Sequence, residues 1–445
     1  MAREWRPTEM ELKESLDFNE EFASAYDVLE STCEHVFVTG KAGTGKSTLL
    51  QYFRNNTRKN VVVLAPTGVA AVNVKGQTIH SFFRFKPDIT LEGVSSIRLR
   101  KDLRNMYQRI DTIVIDEISM VRADLLDCMD AFLRLHSKGN NVPFGGVQMV
   151  FIGDLYQLPP VVTREEKNIF KEVYPTPYFF SAKSFQNLNI QFIELKKIYR
   201  QTEEQFIHLL SMIRDKTATH EHLRDLNKRY IPDFKPKEED FYVYLTTTNA
   251  LADQINQEKL REIKTPSYFS DGEIDGEFDL KNLPTQPRLE LKEGAQVMLL
   301  NNDPNGAWVN GSIGKITYLD EDGLGAGVIE VELSDDRIVE VAPFTWEMFR
   351  FFYNEDTEKI ECESVGAFTQ YPLRLAWAIT IHKSQGKTFS KVIIDIGYGT
   401  FSHGQMYVAL SRCRTLDGIV LKKPILHKHI LLDADVVAFM TRFRN

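Results

Sequence analysis

The sequence predicts an α/β fold, a parallel sheet flanked by helices and interrupted by a small antiparallel β insertion. Three observations predict it. Short, almost wholly apolar, β-rich runs alternate with helical patterns in the first part of the chain. After about residue 260 the pattern changes to alternating apolar runs with turn signals, and from about residue 375 the α/β pattern returns.

The runs at 35–39 (HVFVT), 60–65 (NVVVLA), 112–116 (TIVID) and 148–154 (QMVFIGD) are apolar on both faces, as strands covered from both sides are. A helix is expected after Gly45 and another over about 121–136. The stretch 98–109 reads as an exposed basic helix, beginning Arg98-Leu99-Arg100-Lys101. Residues 271–287, rich in acid, Gly and Pro, read as a loop. The runs 295–300, 308–319, 325–333 and 337–346 read as a small antiparallel barrel or sandwich. Strands at 375–386 and 391–397 and a helix around 403–413 close the pattern.

With 445 residues, roughly three domains are expected at about 150 residues each. A composition of 43% hydrophobic and 26% charged residues excludes disordered, collagen-like and low-complexity classes. No apolar run is long enough to span a bilayer, and the first residues lack the marks of a signal or transit peptide, so a cytoplasmic protein without membrane attachment is expected. Cys33, Cys128, Cys362 and Cys413 are too scattered for a zinc site or disulfide framework. The pairs His220/His222 and His427/His429 have no Cys partner nearby and read as surface histidines. Lys and Arg number 54 against 62 Asp and Glu, a net charge of −8, which alone argues mildly against a nucleic-acid protein.

The motifs argue otherwise. Gly40-Lys41-Ala42-Gly43-Thr44-Gly45-Lys46-Ser47 follows an apolar strand and opens a helix, the context a phosphate-binding P-loop requires. Its glycines let amides turn onto phosphate oxygens, Lys46 is placed to reach the β and γ phosphates, and Ser47 to bind Mg²⁺. Thr44 and Thr48 belong to the same nucleotide cradle. Asp116-Glu117 ends a buried strand, where α/β sheets bind ligands. Asp116 would hold the magnesium, and Glu117 would orient and deprotonate a water. Gln157, in Gly153-Asp154-Leu155-Tyr156-Gln157-Leu158-Pro159-Pro160, is placed to sense a γ-phosphate, with a Pro-stopped turn as the competing reading. From these residues a small-molecule NTPase and an ATP-switched binding module both stay open.

In order, the motifs resemble the B branch of the superfamily-one DNA helicases, and within it the Petite-integration-frequency (Pif) family, close to its RecD-like relatives. The resemblance is carried by APTGVAA (65–71), GQTIHSFF (76–83), DEISM (116–120), PFGGVQ (143–148) running into GDLYQLPPV (153–161), IYRQ (198–201), LTTTN (245–249), TIHKSQGKT (380–388) and YVALSR (407–412), and covers about residues 18–415. It implies two RecA-like domains around one ATP. The first spans 1–185 with a wedge insertion near 85–105, and the second spans 186–259 and 360–445. A Src-homology-like barrel spans 260–359, in which Trp308-Val309-Asn310-Gly311 matches the family pattern, with packing over the DNA channel expected and a purely structural role as the alternative.

The resemblance further implies that Arg200 and Arg412 reach the γ-phosphate, that Tyr199 stacks on the base, and that Gly386 lines the nucleotide site. Asn19 is the candidate for adenine contact, because Phe22 stands where the family's Gln falls. Thr67, Val69, His80, Phe82, Thr248, Asn249, His382 and Ser384 are the expected DNA contacts, with core packing the competing reading for Phe82. The implied activity is 5′-to-3′ movement on single-stranded DNA driven by ATP and Mg²⁺. Unwinding of tailed duplex follows from it, together with G-quadruplex and RNA–DNA hybrid as further substrates. A monomer in solution is expected, and a translocase that does not unwind is the nearest rival.

Overall fold

The computed structural model describes residues 19–139, 142–162, 166, 170, 172–186, 188–278, 280, 283–319, 328–397 and 399–443. Phe18 of the expected adenine motif lies outside them. The first sheet comprises β1 (His35–Gly40), β2 (Val61–Ala65), β3 (Gln77–Thr78), β4 (Thr112–Ile115), β5 (Gln148–Ile152) and β6 (Ile190–Leu195). All pair in parallel, in the order β3-β2-β4-β5-β1-β6. The four expected strands are β1, β2, β4 and β5. β3, at two residues, is too short to leave a pattern. β6 carries the sheet past residue 185, where the first domain was expected to end, because it pairs with β1 from His35 to Gly40.

Helices Glu20–Ser31 and Lys46–Asn56 cover one face of this sheet through Phe22, Leu29, Leu49 and Phe53. Helices Lys101–Arg109 and Ala123–His136 cover the other. The first of these is not the exposed helix expected, since Leu103, Met106 and Tyr107 are buried along one side. The C-terminal helix Ala434–Thr441 also crosses back to this sheet instead of staying with the second domain. Its Phe439 stacks on Phe180 at 4.3 Å and meets Phe37, Phe179 and Phe185 edge-on or tilted.

Phe82 is only 4% exposed. It packs edge-on against Phe83, Tyr107 and Phe351, so the core reading replaces the expected DNA contact. Phe82→Ala is therefore expected to cost about 3–5 kcal/mol in chemical denaturation, with single-strand affinity little changed.

β7 (Val243–Thr246) opens a second parallel sheet. The antiparallel insertion follows, with β8 (Tyr268–Asp271), β9 (Glu273–Gly276), β10 (Arg288–Leu291), β11 (Gln296–Leu299), β12 (Ile313–Leu319), β13 (Ile329–Leu333), β14 (Ile338–Val341), β15 (Phe344–Asn354), β16 (Lys359–Gln370) and β17 (Leu373–Leu375). β18 (Ala378–Thr380), β19 (Val392–Asp395) and β20 (Ile419–Leu421) then complete the second sheet in the order β18-β7-β19-β20.

The insertion combines a five-stranded sheet, β14-β13-β12-β11-β17, with the pair β10-β8 and the three-stranded β15-β16-β9, and its core includes Leu291, Val297, Leu299, Val331, Val341 and Leu373. Its pairing runs to Leu375, beyond the expected end at 359. Part of the expected loop at 271–287 is strand: β9 pairs with β16, which satisfies its backbone hydrogen bonds although Glu273 and Asp275 are exposed. The long β15–β16 hairpin reaches the first domain. Phe351 N donates to Gln77 Oε1 at 3.2 Å, Ile360 N to Asn60 Oδ1 at 3.0 Å, and the Arg109 guanidinium sits 5.1 Å from the Tyr353 ring centre.

Candidate active site and nucleic-acid face

The carboxyl end of β1 runs into the P-loop, and the helix Lys46–Asn56 leaves it. Gly43 and Gly45 hold φ of +83° and +87°, which side chains other than glycine's rarely adopt. A Cβ on Gly43 would also stand 2.5 Å from that of Arg200. The Tyr199 amide donates to Gly43 O at 2.9 Å, so the IYRQ segment lies directly on the phosphate loop. Lys46 Nζ donates to Gly40 O at 2.8 Å and Lys41 O at 3.0 Å, and buried Thr44 donates to Lys41 O at 3.0 Å. Burial pulls the Lys46 ammonium below the ordinary lysine range, against the pull of Asp154 and Glu117. Ser47 is exposed, and Ser47 and Thr48 line a cleft of about 1240 Å³ with Gly43, Lys46, Glu117 and Arg412.

Asp116 and Glu117 follow β4 as expected. Glu117 has a φ of +50°, a left-handed backbone that aims its carboxylate into the cleft. Burial, then repulsion from Asp116, pushes its pKa up to about 7, and burial raises Asp116 too. Gln385 Nε2 donates to Glu117 Oε2 at 3.1 Å and to Gln157 Oε1 at 3.2 Å. Gln157 is buried and donates to Asp154 Oδ2 at 3.3 Å. Sequence reasoning assigned Gln385 no role, although it lies inside the quoted HKSQG motif.

Arg200 donates to Ser411 O at 3.4 Å and Gly386 O at 3.2 Å. Arg412 is buried and donates to Val408 O, Ser411 Oγ, Ser384 O and Lys387 O, at 2.9 to 3.4 Å. Burial, then the neighbouring Arg200 charge, lowers its pKa to about 9, and Glu117 faces it across the cleft. Arg412 thus faces the carboxylates of the other side, with Arg200 beside it. Gln201 holds the IYRQ and YVALSR motifs together, donating to Ser411 O at 3.0 Å and Cys413 O at 3.1 Å.

At the far end, Asn19 Oδ1 accepts from Phe22 N at 2.8 Å and so caps the helix Glu20–Ser31. Its Nδ2 donates to Tyr199 Oη at 3.2 Å. Phe22 is 5% exposed, packs edge-on against Tyr52, and also lines the cleft. The loop Trp308-Val309-Asn310-Gly311 borders the same cleft, where Lys387 Nζ donates to Asn310 Oδ1.

The second group of expected residues lies at the carboxyl ends of the two sheets. Thr67 and Thr248 stand at matching places, each two residues past a strand and each capping a helix, through bonds from Ala70 N at 3.3 Å and Leu251 N at 3.4 Å. Val69 and Asn249 are exposed beside them, and His80 is half-buried. His382 stacks on Phe401 with ring centres 6.3 Å apart and planes 16° apart. Phe401 is 63% exposed and was not foreseen, because a lone Phe between Thr400 and Ser402 leaves no periodic signal. Ser384 is fully buried and donates to Ile381 O at 2.7 Å, so it positions the motif's backbone and offers nothing to a strand.

Two parallel α/β sheets around one cleft, with a P-loop and paired acids from one and arginines from the other, define a P-loop NTPase of two RecA-like domains. Residues 18–223 match the PIF1-like helicase family, and residues 275–319 the 2B domain of DNA helicase Pif1. The ATP-dependent DNA helicase Pif1 of Bdellovibrio bacteriovorus is 32% identical over 97% of this chain and 93% of its own. Among solved structures, Bacteroides sp Pif1 in complex with ADP-AlF4 superposes with a TM-score of 0.87 at 38% identity, over 96% of this chain and 97% of that one. The Bacteroides Pif1 structure bound to ssDNA gives 0.67 at 37% identity over the same shares, so the arrangement here is nearer the first. The chain belongs to the PIF1-like helicase family.

Proposed function

We propose that this protein is a DNA helicase that couples ATP hydrolysis to 5′-to-3′ movement along single-stranded DNA and unwinds the duplex ahead. The observation that carries this reading is the cross-cleft constellation. Gln385 of the second domain touches both Glu117 and Gln157 of the first, while Arg412 faces Glu117 with Arg200 at its side. A site divided in this way completes its charge only when the domains are together, which ties the chemical step to domain closure.

In this reading Lys46 and the amides around Gly43 and Gly45 hold the phosphates. Asn19 and Tyr199 face the base, and Gly386 and Thr48 border the nucleotide. Ser47 and Asp116 would hold Mg²⁺, since a hydroxyl and a carboxylate are the hard oxygen donors this ion takes. The ion neutralises charge on the β and γ phosphates when bound. Glu117 accepts the proton of the attacking water, Gln157 orients that water, and Arg200 and Arg412 counter the charge that develops on the γ-phosphate.

Thr67, Val69, Thr248 and Asn249 offer hydroxyls and helix-terminal amides to phosphates, contacts that read no sequence. His80 and the His382–Phe401 stack offer faces to bases. The first RecA-like unit is the β1–β6 sheet with the C-terminal helix, the second the β7 and β18–β20 sheet, and the insertion lies between β7 and β18. We extend the proposal to a monomeric, cytoplasmic enzyme that also resolves G-quadruplex and RNA–DNA hybrid.

The test is strand separation on two partial duplexes, one with a 5′ single-stranded tail and one with a 3′ tail, beside ATPase rates with and without single-stranded DNA. Stimulated hydrolysis and unwinding from the 5′ tail are expected. Unwinding from the 3′ tail alone overturns the polarity, and hydrolysis indifferent to DNA overturns the helicase reading.

A further inference from the structure

We infer that Arg214 is a positioning residue for hydrolysis, setting Gln157 through Asp154 from across the domain boundary. The inference rests on the helicase reading above and assigns a residue outside the named motifs. Arg214 is the last residue of the helix Glu204–Arg214, whose Phe206, Leu209, Leu210 and Ile213 are built into the core of the second domain with Val243, Leu245 and Ile394. Its guanidinium leaves that domain. Nη2 donates to Asp154 Oδ1 at 3.1 Å, with both side chains wholly buried, and the guanidinium carbon lies 3.9 Å from the centre of the Tyr156 ring. Asp154 and Tyr156 follow β5 of the first domain.

The other oxygen of the same carboxylate, Oδ2, accepts from Gln157 Nε2 at 3.3 Å. Oδ1 also accepts from the Tyr156 amide at 3.1 Å, and the Gln157 amide donates to Asp154 O at 3.0 Å, so the whole turn is organised on one acid. Gln157 is thus fixed from two directions, both originating in the second domain: Arg214 through Asp154, and Gln385 directly. Nearby, the Ala42 amide of the P-loop donates to Tyr407 Oη at 2.9 Å, and Lys41 Nζ donates to Ser211 Oγ at 2.7 Å one turn before Arg214. The ion pair therefore lies where the phosphate loop and the second domain already meet. A buried ion pair is poor evidence for stability, but it allows one geometry, because displacing either partner strands a charge without water. That property suits a residue that must report domain closure to the γ-phosphate sensor.

The experiment is steady-state ATP hydrolysis with saturating oligo-dT, read as kcat and KM, for wild type, Arg214→Met, Arg214→Lys and Asp154→Asn. Fluorescent ADP binding and thermal melting are read on the same samples. Arg214→Met and Asp154→Asn are expected to lower kcat at least tenfold with KM for ATP and ADP affinity within twofold. Arg214→Lys, which keeps the charge, is expected to recover kcat to within threefold of wild type. A kcat within twofold of wild type in Arg214→Met overturns the inference. So does a loss shared equally by kcat, KM and ADP binding that lysine does not rescue. If Arg214→Met gives no cooperative melt, Asp154→Asn, which keeps its shape, decides by the same criterion. A wild type without stimulation by DNA overturns the helicase reading instead, and the basal rates of the same variants then judge Arg214.

Discussion

Glu117→Gln is expected to lower DNA-stimulated kcat by about 10²–10⁴-fold while leaving the melting temperature unchanged or raised. The rate term follows from removing the carboxylate that shares Gln385 with Gln157 and can take the water's proton, since a positioned general base contributes about that much. The stability term follows from the same burial that makes the residue useful. Glu117 is held away from water and next to Asp116, and its charge is disfavoured enough to lift its pKa to about 7. A neutral amide of the same shape removes that penalty and still accepts from Gln385. Loss of activity with no loss of stability separates a chemical role from a structural one. Turnover within twofold of wild type would sink the assignment.

Lys46→Ala is expected to reduce kcat by roughly a thousandfold and to weaken nucleotide binding, because the lysine supplies a half-buried cation in the cleft where phosphate charge must be met. Here the stability response has the opposite sign. Lys46 Nζ bonds Gly40 O and Lys41 O and stands among Asp154, Glu117 and Asp116. Removing it takes a donor from both carbonyls, leaving Thr44 on Lys41 O, and takes a counter-charge from Glu117 and Asp116, so the variant should melt below wild type. Hydrolysis at near the wild-type rate in the presence of single-stranded DNA would refute the phosphate site.

The two variants probe what was legible in the sequence. The P-loop and the Asp116-Glu117 pair were readable because each is a local signal in a fixed context, a strand before and a turn or helix after. The strands buried on both faces were readable for the same reason. What could not be read was set by distant partners. Phe82 sits in a motif next to His80, yet Phe351, over 260 residues later, helps bury it. Ser384 has the hydroxyl of a phosphate contact but turns it onto Ile381 O. Arg214 looks like any basic residue ending a helix until Asp154 is placed against it. The net charge of −8 misled for a related reason: it averages a whole surface, while the function lies in a cleft and along two strand edges.

The return of the helix Ala434–Thr441 to the first sheet has a consequence for how the chain is made. A ribosome delivers β1 to β6 long before it delivers Phe439, so the nascent first domain shows an aromatic hollow at Phe37, Phe179, Phe180 and Phe185 while the remaining residues are synthesised. Chains emerge N-terminus first at about 5–20 residues per second, which leaves that hollow open for more than ten seconds. Exposed apolar surface of this kind draws chaperones and aggregation alike. The helix Ala434–Thr441 therefore acts as a stopper set long after the sheet it closes, and a ribosome stalled shortly before it would release an open-sided first domain however well its phosphate loop had formed.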